Sequence, residues 1–165
     1  MGGFRGSEGS KENRDPVSNP TILSGNIGNL ESASDNSYRV VESIDLDDAP
    51  YLDGLIIADA FNERESIEGR GGGLYNVRTD LTIIDCVFEN NYAGGGGGIW
   101  NERSSPFIIR SLIQCNANCG MTNWDGGSPL VIESVFLDNS STGSGAGYNA
   151  WTFYHATTFV ACTFA

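Results

Sequence analysis

Arg110 stands between two acids, Asp85 and Glu133, when the segments IIDCVF, IIRSLI and VIESVF are laid over one another. If those segments stack as strands, the guanidinium lies about one strand spacing, ~4.8 Å, from each carboxylate. Carboxylates in such an array can hold a hard cation such as Ca²⁺ through oxygen ligands. The cation would neutralise a uronate, and the arginine would take the proton alpha to it. The plainer chemistry is a surface ladder of opposite charges, worth roughly a few tenths of a kcal/mol per pair. One arginine and two acids are sparse for a catalytic centre, so the residues favour the ladder.

A second group is aromatic. Trp100, Trp124 and Trp151 recur at intervals of 24 and 27 residues, and Tyr75 occupies the same step as Trp100 relative to the asparagine that follows it. Exposed rings on such a pitch could stack on sugars, which makes Tyr75, Trp100 and Trp124 the candidate carbohydrate-binding residues. Packing beneath neighbouring loops is the bland alternative. It is favoured because Trp100 precedes its asparagine whereas Trp124 follows its own. A third group, Asp45, Asp47 and Asp48, is acidic and lies just before Asp53. It lacks the glycine and closing glutamate of an EF-hand loop, so it reads as a weak Ca²⁺ site at most, or a solvated loop. His155 is the one histidine, and the sequence marks no Ser or Cys motif to complete a hydrolase triad with it.

The elements that must position these residues are strands. The chain has 165 residues, 22 of them glycine, and only 18% are charged. That mixture suits a turn-rich β protein better than a helical one. Runs such as LTIIDCVF would be costly to leave in water, which excludes disorder. The formal net charge of −12 opposes binding to nucleic acid and to anionic membrane surfaces. No apolar run is long enough to span a bilayer, so membrane insertion is not expected. The four cysteines lack zinc spacing; Cys115 and Cys119 form a C-x3-C pair able to close a small disulfide.

Repeats organise the chain. IIDCVFENN (83–91), IIRSLIQCN (108–116) and VIESVFLDN (131–139) superpose, FVACTFA (159–165) starts the same way, and YLDGLIIAD (51–59) is a looser copy. One column collects Ile56, Phe88, Ile113, Phe136 and Phe164; two residues earlier stand Gly54, Cys86, Ser111, Ser134 and Cys162. Large and small inward residues at period two mark a strand. Asp59, Asn91, Asn116 and Asn139 follow as a turn ladder, because asparagine tolerates the left-handed backbone. A charged column, Asp53, Asp85, Arg110 and Glu133, ends at Ala161. Between these copies a second strand recurs as GGGLYN (71–76), GGGGIWN (95–101) and CGMTN (119–123), so the five glycines of 94–98 form a tight bend and not a linker.

Stacked coils of this kind pair like strands in parallel. The fold class expected is all-β, a right-handed parallel β-helix of about five coils over residues 19–165, with a polar lead-in over 1–18. The absence of an apolar leader after Met1, and a last strand that stops at CTFA, suggest a fragment of a longer solenoid. An open final coil would leave an unpaired strand edge and favour end-to-end self-association.

GGGI (96–99), FENN (88–91) and FLDN (136–139) resemble the GG[AL]I and FxxN repeats of polymorphic outer-membrane proteins. NPTILSGNIGN, DNSYRVV and YLDG are similar to the opening coils of secreted bacterial β-helix proteins of the pectate-lyase-like fold. The resemblance implies an exported or cell-surface bacterial protein, either a non-catalytic, adhesin-like scaffold or a carbohydrate-active one. In the enzyme alternative it implies a Ca²⁺-dependent polysaccharide lyase centred on Arg110. As a binding module the chain would take a polysaccharide or a host glycan through Tyr75, Trp100 and Trp124. The scaffold is the reading the residues favour.

Overall fold

The computed structural model describes residues 1–48, 50–64, 66–151 and 155–165. Three parallel sheets run along one axis. Sheet A stacks β1 (Thr21–Ser24), β4 (Leu55–Ala58), β8 (Val87–Glu89), β12 (Leu112–Gln114), β15 (Val135–Leu137) and β18 (Thr163–Phe164). Sheet B stacks β2 (Val41–Ile44), β6 (Leu74–Val77), β10 (Ile99–Glu102), β13 (Met121–Trp124) and β16 (Tyr148–Trp151). Sheet C stacks β3 (Tyr51–Asp53), β7 (Thr82–Ile84), β11 (Phe107–Ile109), β14 (Leu130–Ile132) and β17 (Thr158–Val160). A short pair, β5 (Phe61–Asn62) and β9 (Tyr92–Ala93), fills a corner. The chain visits B, C and A in turn, so sheets B and C have five layers and β1 adds a sixth to sheet A, in a parallel β-solenoid of about four turns.

A single device ends almost every strand. The residue after β2, β6, β10 and β13 is Asp45, Arg78, Arg103 or Asp125, each at positive φ. After β3, β7, β11, β14 and β17 come Gly54, Asp85, Arg110, Glu133 and Ala161, again with φ between 44 and 66°. After β4, β8, β12 and β15 come Asp59, Asn90, Cys115 and Asp138. One left-handed residue turns the chain sharply enough for the next strand to start a new sheet. For residues other than glycine it costs about 1–2 kcal/mol, recovered from the ladders on either side.

Period-two alternation then decides the core. Sheet A contributes Ile57, Phe88, Ile113 and Phe136, sheet B Leu74, Ile99 and Met121, and sheet C Ile83, Ile108 and Val131, all essentially inaccessible. Each such side chain contributes about 1.5–3 kcal/mol by leaving water. Phe164 continues the sheet A column, stacked on Phe136 with ring centroids 4.7 Å apart, and is half exposed in the last layer.

The looser upstream copy is displaced by one residue from the sequence alignment. Ile57, not Ile56, is opposite Phe88, Leu55 takes the place assigned to Gly54, and Ala60 that assigned to Asp59. The physical reason is Gly54. Its lack of a side chain suggested a small inward residue, but at φ 66° it is the bend itself.

Two polar ladders hold the layers in register. Asn116 Nδ2 donates to Asn139 Oδ1 at 3.0 Å, and Asn91 Nδ2 donates to Asn116 Oδ1 at 3.1 Å. The same amides reach the Phe88 and Ile57 carbonyls. These asparagines are therefore inward residues, and the left-handed conformation expected of them belongs to the preceding residue. In the small column, Ser111 and Ser134 each donate to the carbonyl two residues back and accept an N–H from the layer before.

The glycine run is a bend with a close backbone approach. Gly96 has φ 59°. A methyl group on Gly73 would stand 2.6 Å from the Gly98 oxygen, and one on Gly120 would stand 2.8 Å from the Gly147 oxygen. Residues 1–18 are polar but not detached: Gly2 and Gly3 are buried, Gly2 donates to the Asp53 carbonyl, and Arg14 pairs with the Asp53 side chain. Cys115 and Cys119 are free thiols and do not form the small disulfide. Cys115 sits on an exposed bend, whereas Cys119 is buried with its Sγ directed to the Met121 carbonyl.

Candidate functional site

Arg110 and Asp85 occupy consecutive layers of the bend column that follows sheet C. Their contact is two-pronged, with Nε to Oδ1 at 2.8 Å and Nη2 to Oδ2 at 2.9 Å. The hydrogen bonds to Asp85 push the Arg110 pKa up, and the charges of Asp85, Glu133 and Asp53 act in the same direction. Glu133 takes the next bend and adds its charge. Asp53 lies outside this column: it is the last residue of β3, opposite Ile84, and Arg14 holds it. A proton-abstracting group must reach its neutral form near the working pH, and this environment shifts Arg110 the opposite way. An open depression of about 760 Å³ passes over Arg14, Asp85 and Arg110.

Asp45 is the bend residue after β2, and Arg78, the bend residue one layer on, grips both of its oxygens. That contact holds the Asp45 carboxyl below the usual carboxylate range. Asp47 and Asp48 are exposed on the loop that follows. Among the described residues no three His, Cys, Asp or Glu side chains are gathered closely enough to hold a metal ion.

The aromatic group assembles more completely than its sequence steps suggest. Trp100 pairs with Tyr75 and Thr122 across the sheet, while Trp124 pairs with Trp151 and Glu102. Positions two apart on a strand share a face, so all four rings lie on the outer side of sheet B. The Trp100 and Trp124 rings stack at 5.6 Å, and Trp124 meets Trp151 at 5.8 Å. Arg70 lies 4.5 Å from the centre of Trp100 and 4.8 Å from that of Trp124, with a carboxylate of Glu102 at 3.6 Å. Tyr75 packs with Val77 and Trp100, but Arg39 covers its ring at 3.8 Å, and burial, followed by the charge of Glu102, raises its phenol pKa.

Between the loop carrying Arg64 and Arg70 and the loop Ser141–Ser144, these rings floor a cleft of about 560 Å³. Trp100 is almost fully covered, whereas Trp151 is 58% exposed and open to that cleft. Of the three carbohydrate candidates, Trp100 and Trp124 line the cleft and Tyr75 does not. Sequence reasoning placed Trp151 in the tryptophan series without carrying it into the binding set, and it left out Arg70. The 27-residue step from Trp124 to Trp151 was the available signal for the first; nothing local marked Arg70, whose partners are 30 or more residues away.

These layers define a parallel β-solenoid repeat protein whose repeating residues face inward as ladders and outward as bends. The model of the Chlamydia polymorphic membrane protein repeat matches residues 85–102, which run from the Asp85 bend through β8, Asn91 and the glycines to β10. The match and the solenoid together fit a β-helix repeat protein of the polymorphic membrane protein type. That family points to an outer-membrane or surface location. No curated protein and no solved structure matches the chain. No helix among the described residues is long and apolar enough to cross a membrane.

Proposed function

We propose that the chain is a non-catalytic scaffold module of an exported, surface-displayed β-helix protein, adhesin-like in presenting a rigid face to other molecules. The observation that carries this reading is the bend column through Asp85, Arg110 and Glu133. Its charged residues stand where a left-handed turn directs them outward, and Arg110 is held as a cation by Asp85. An arginine so held supports layer stacking and opposes proton abstraction. Fold alone does not decide activity, and the Ca²⁺-dependent lyase alternative makes a distinct prediction. Incubation with acidic polysaccharides, with Ca²⁺ and then with chelator, followed by the ultraviolet absorbance of unsaturated uronates, should give no rise in either condition. A Ca²⁺-dependent rise that Arg110→Ala abolishes would overturn the scaffold reading.

A further inference from the structure

The cleft over the outer face of sheet B has features a scaffold does not require. Its volume of about 560 Å³ falls inside the range of about 300–1,000 Å³ found for small-molecule sites. The chain carries 21 acidic and 9 basic residues, yet Arg64 and Arg70 are the only charged side chains among the described residues that line this cleft. Their acidic partners, Glu68 and Glu102, stay outside the lining. A concentration of cationic donors on an acidic molecule selects for an anion. The exposed ring of Trp151, beside the half-buried ring of Trp124, selects for a flat, weakly polar face next to that charge.

We propose that this cleft binds an acidic saccharide. Trp124 and Trp151 offer rings to the apolar face of a sugar, an amphipathic surface that costs little conformational entropy to order. Arg70 is already oriented by its packing on Trp100 and Trp124 and by Glu102 at 3.6 Å, so the N–H groups that Glu102 leaves over can meet a ligand carboxylate without first being immobilised. Arg64, 47% exposed at its side chain and paired with Glu68 at 3.1 Å, can release that surface partner cheaply and provide the second cation. Asn149, two residues before Trp151 on the outer face of sheet B, and Ser144 of the facing loop can meet ring hydroxyls. The net charge of −12 opposes every long polyanion, nucleic acid included, so the occupant expected is a short acidic oligosaccharide that meets the local cations of the cleft. Binding here involves no chemistry, so it stands or falls separately from the absence of lyase activity.

Tryptophan fluorescence titrations with tri-galacturonate, 3′-sialyllactose and a heparin tetrasaccharide test the proposal, with the methyl ester of tri-galacturonate as a neutral control. At least one acidic probe should quench fluorescence saturably. Its affinity should fall tenfold or more in Trp151→Ala and in Arg70→Gln, and any methyl ester binding should be comparably weak. Each variant is compared with the parent by far-ultraviolet circular dichroism; if Arg70→Gln fails to fold, Arg64→Gln takes its place and should weaken binding at least threefold. Absence of saturable quenching by all three acidic probes overturns the proposal. Equal binding of the acid and its ester overturns the role of the arginines, and with it the acidic class. Quenching by a proline-rich peptide and by none of the saccharides would assign the cleft to a protein partner instead.

Discussion

Asn116→Ala tests whether the asparagine ladder holds the layers together. Asn116 is 1% exposed and uses its whole amide: Nδ2 donates to the Phe88 carbonyl at 2.9 Å and to Asn139 Oδ1 at 3.0 Å, and Oδ1 accepts from the Asn91 backbone and side-chain nitrogens, both at 3.1 Å. Truncation leaves Asn139 Oδ1 with the Asn116 backbone N–H, and Asn91 Nδ2 with the Ile57 carbonyl. The Asn91 N–H loses its acceptor inside the core. An orphaned buried donor costs about 1–3 kcal/mol, and the lost bond to Phe88 adds about 0.5–1.5 kcal/mol. The expected destabilisation is therefore ~1.5–4.5 kcal/mol, or roughly 3–18 °C in Tm for a chain of this size. Urea unfolding followed by circular dichroism gives the first number, and amide exchange at Asn91 should accelerate in parallel. Asn139→Ala, at a half-buried rung, should cost less than Asn116→Ala. If Asn116→Ala falls within about 0.5 kcal/mol of the parent, the level of an ordinary surface change, the ladder does not hold the layers and the reasoning is wrong.

Gly73→Ala should destabilise by more than about 2 kcal/mol, because its methyl would meet the Gly98 carbonyl, whereas Gly143→Ala, with open space around it, should be nearly neutral in the same urea titration. In the folded protein a thiol reagent should label Cys115 first; burial pushes the Cys86 and Cys119 thiols up, so those two should react only on unfolding, and rapid labelling of Cys119 would refute that core placement. The lowered pKa of Asp45 gives stability that is present above its ordinary value of 3.8 and lost as pH falls through the lower folded value. Asp45→Asn should therefore flatten part of the acid limb of the stability profile, and an acid limb identical to the parent's would show that the Arg78 contact contributes nothing.

Residue type revealed the fold because one axial repeat places like residues over like. Phe88, Ile113 and Phe136 are large for the same reason, and Asn91, Asn116 and Asn139 are amides because one amide carries two N–H donors and an acceptor oxygen, enough to bond the layers on both sides at once. The sequence misled where two requirements favour the same residue. Gly54 looks like a small inward residue and is a left-handed bend; Asn91 looks like a left-handed bend and is an inward rung. Both errors come from reading glycine and asparagine by propensity alone, when the neighbour decides: each rung follows a residue at positive φ, Asn90, Cys115 or Asp138.

The candidate site was legible only in part, for a related reason. A column of like residues signals a structural repeat, and the same logic hides a binding surface, which is assembled from residues that differ between layers. Trp100 and Trp124 occupy different columns and meet because alternation puts both on one face and the layers bring them to 5.6 Å. Arg70 stands just before the glycine bend, bridged to Gly95 of the next layer, where no like residue marks it. Asp85 and Arg110 stand in register as bend residues that recur in every layer, which fits a structural role. In the proposed cleft only Trp124 and Trp151 stand in register; Trp100 meets Trp124 on the diagonal and Arg70 lies across both, a combination no single column of the repeat displays.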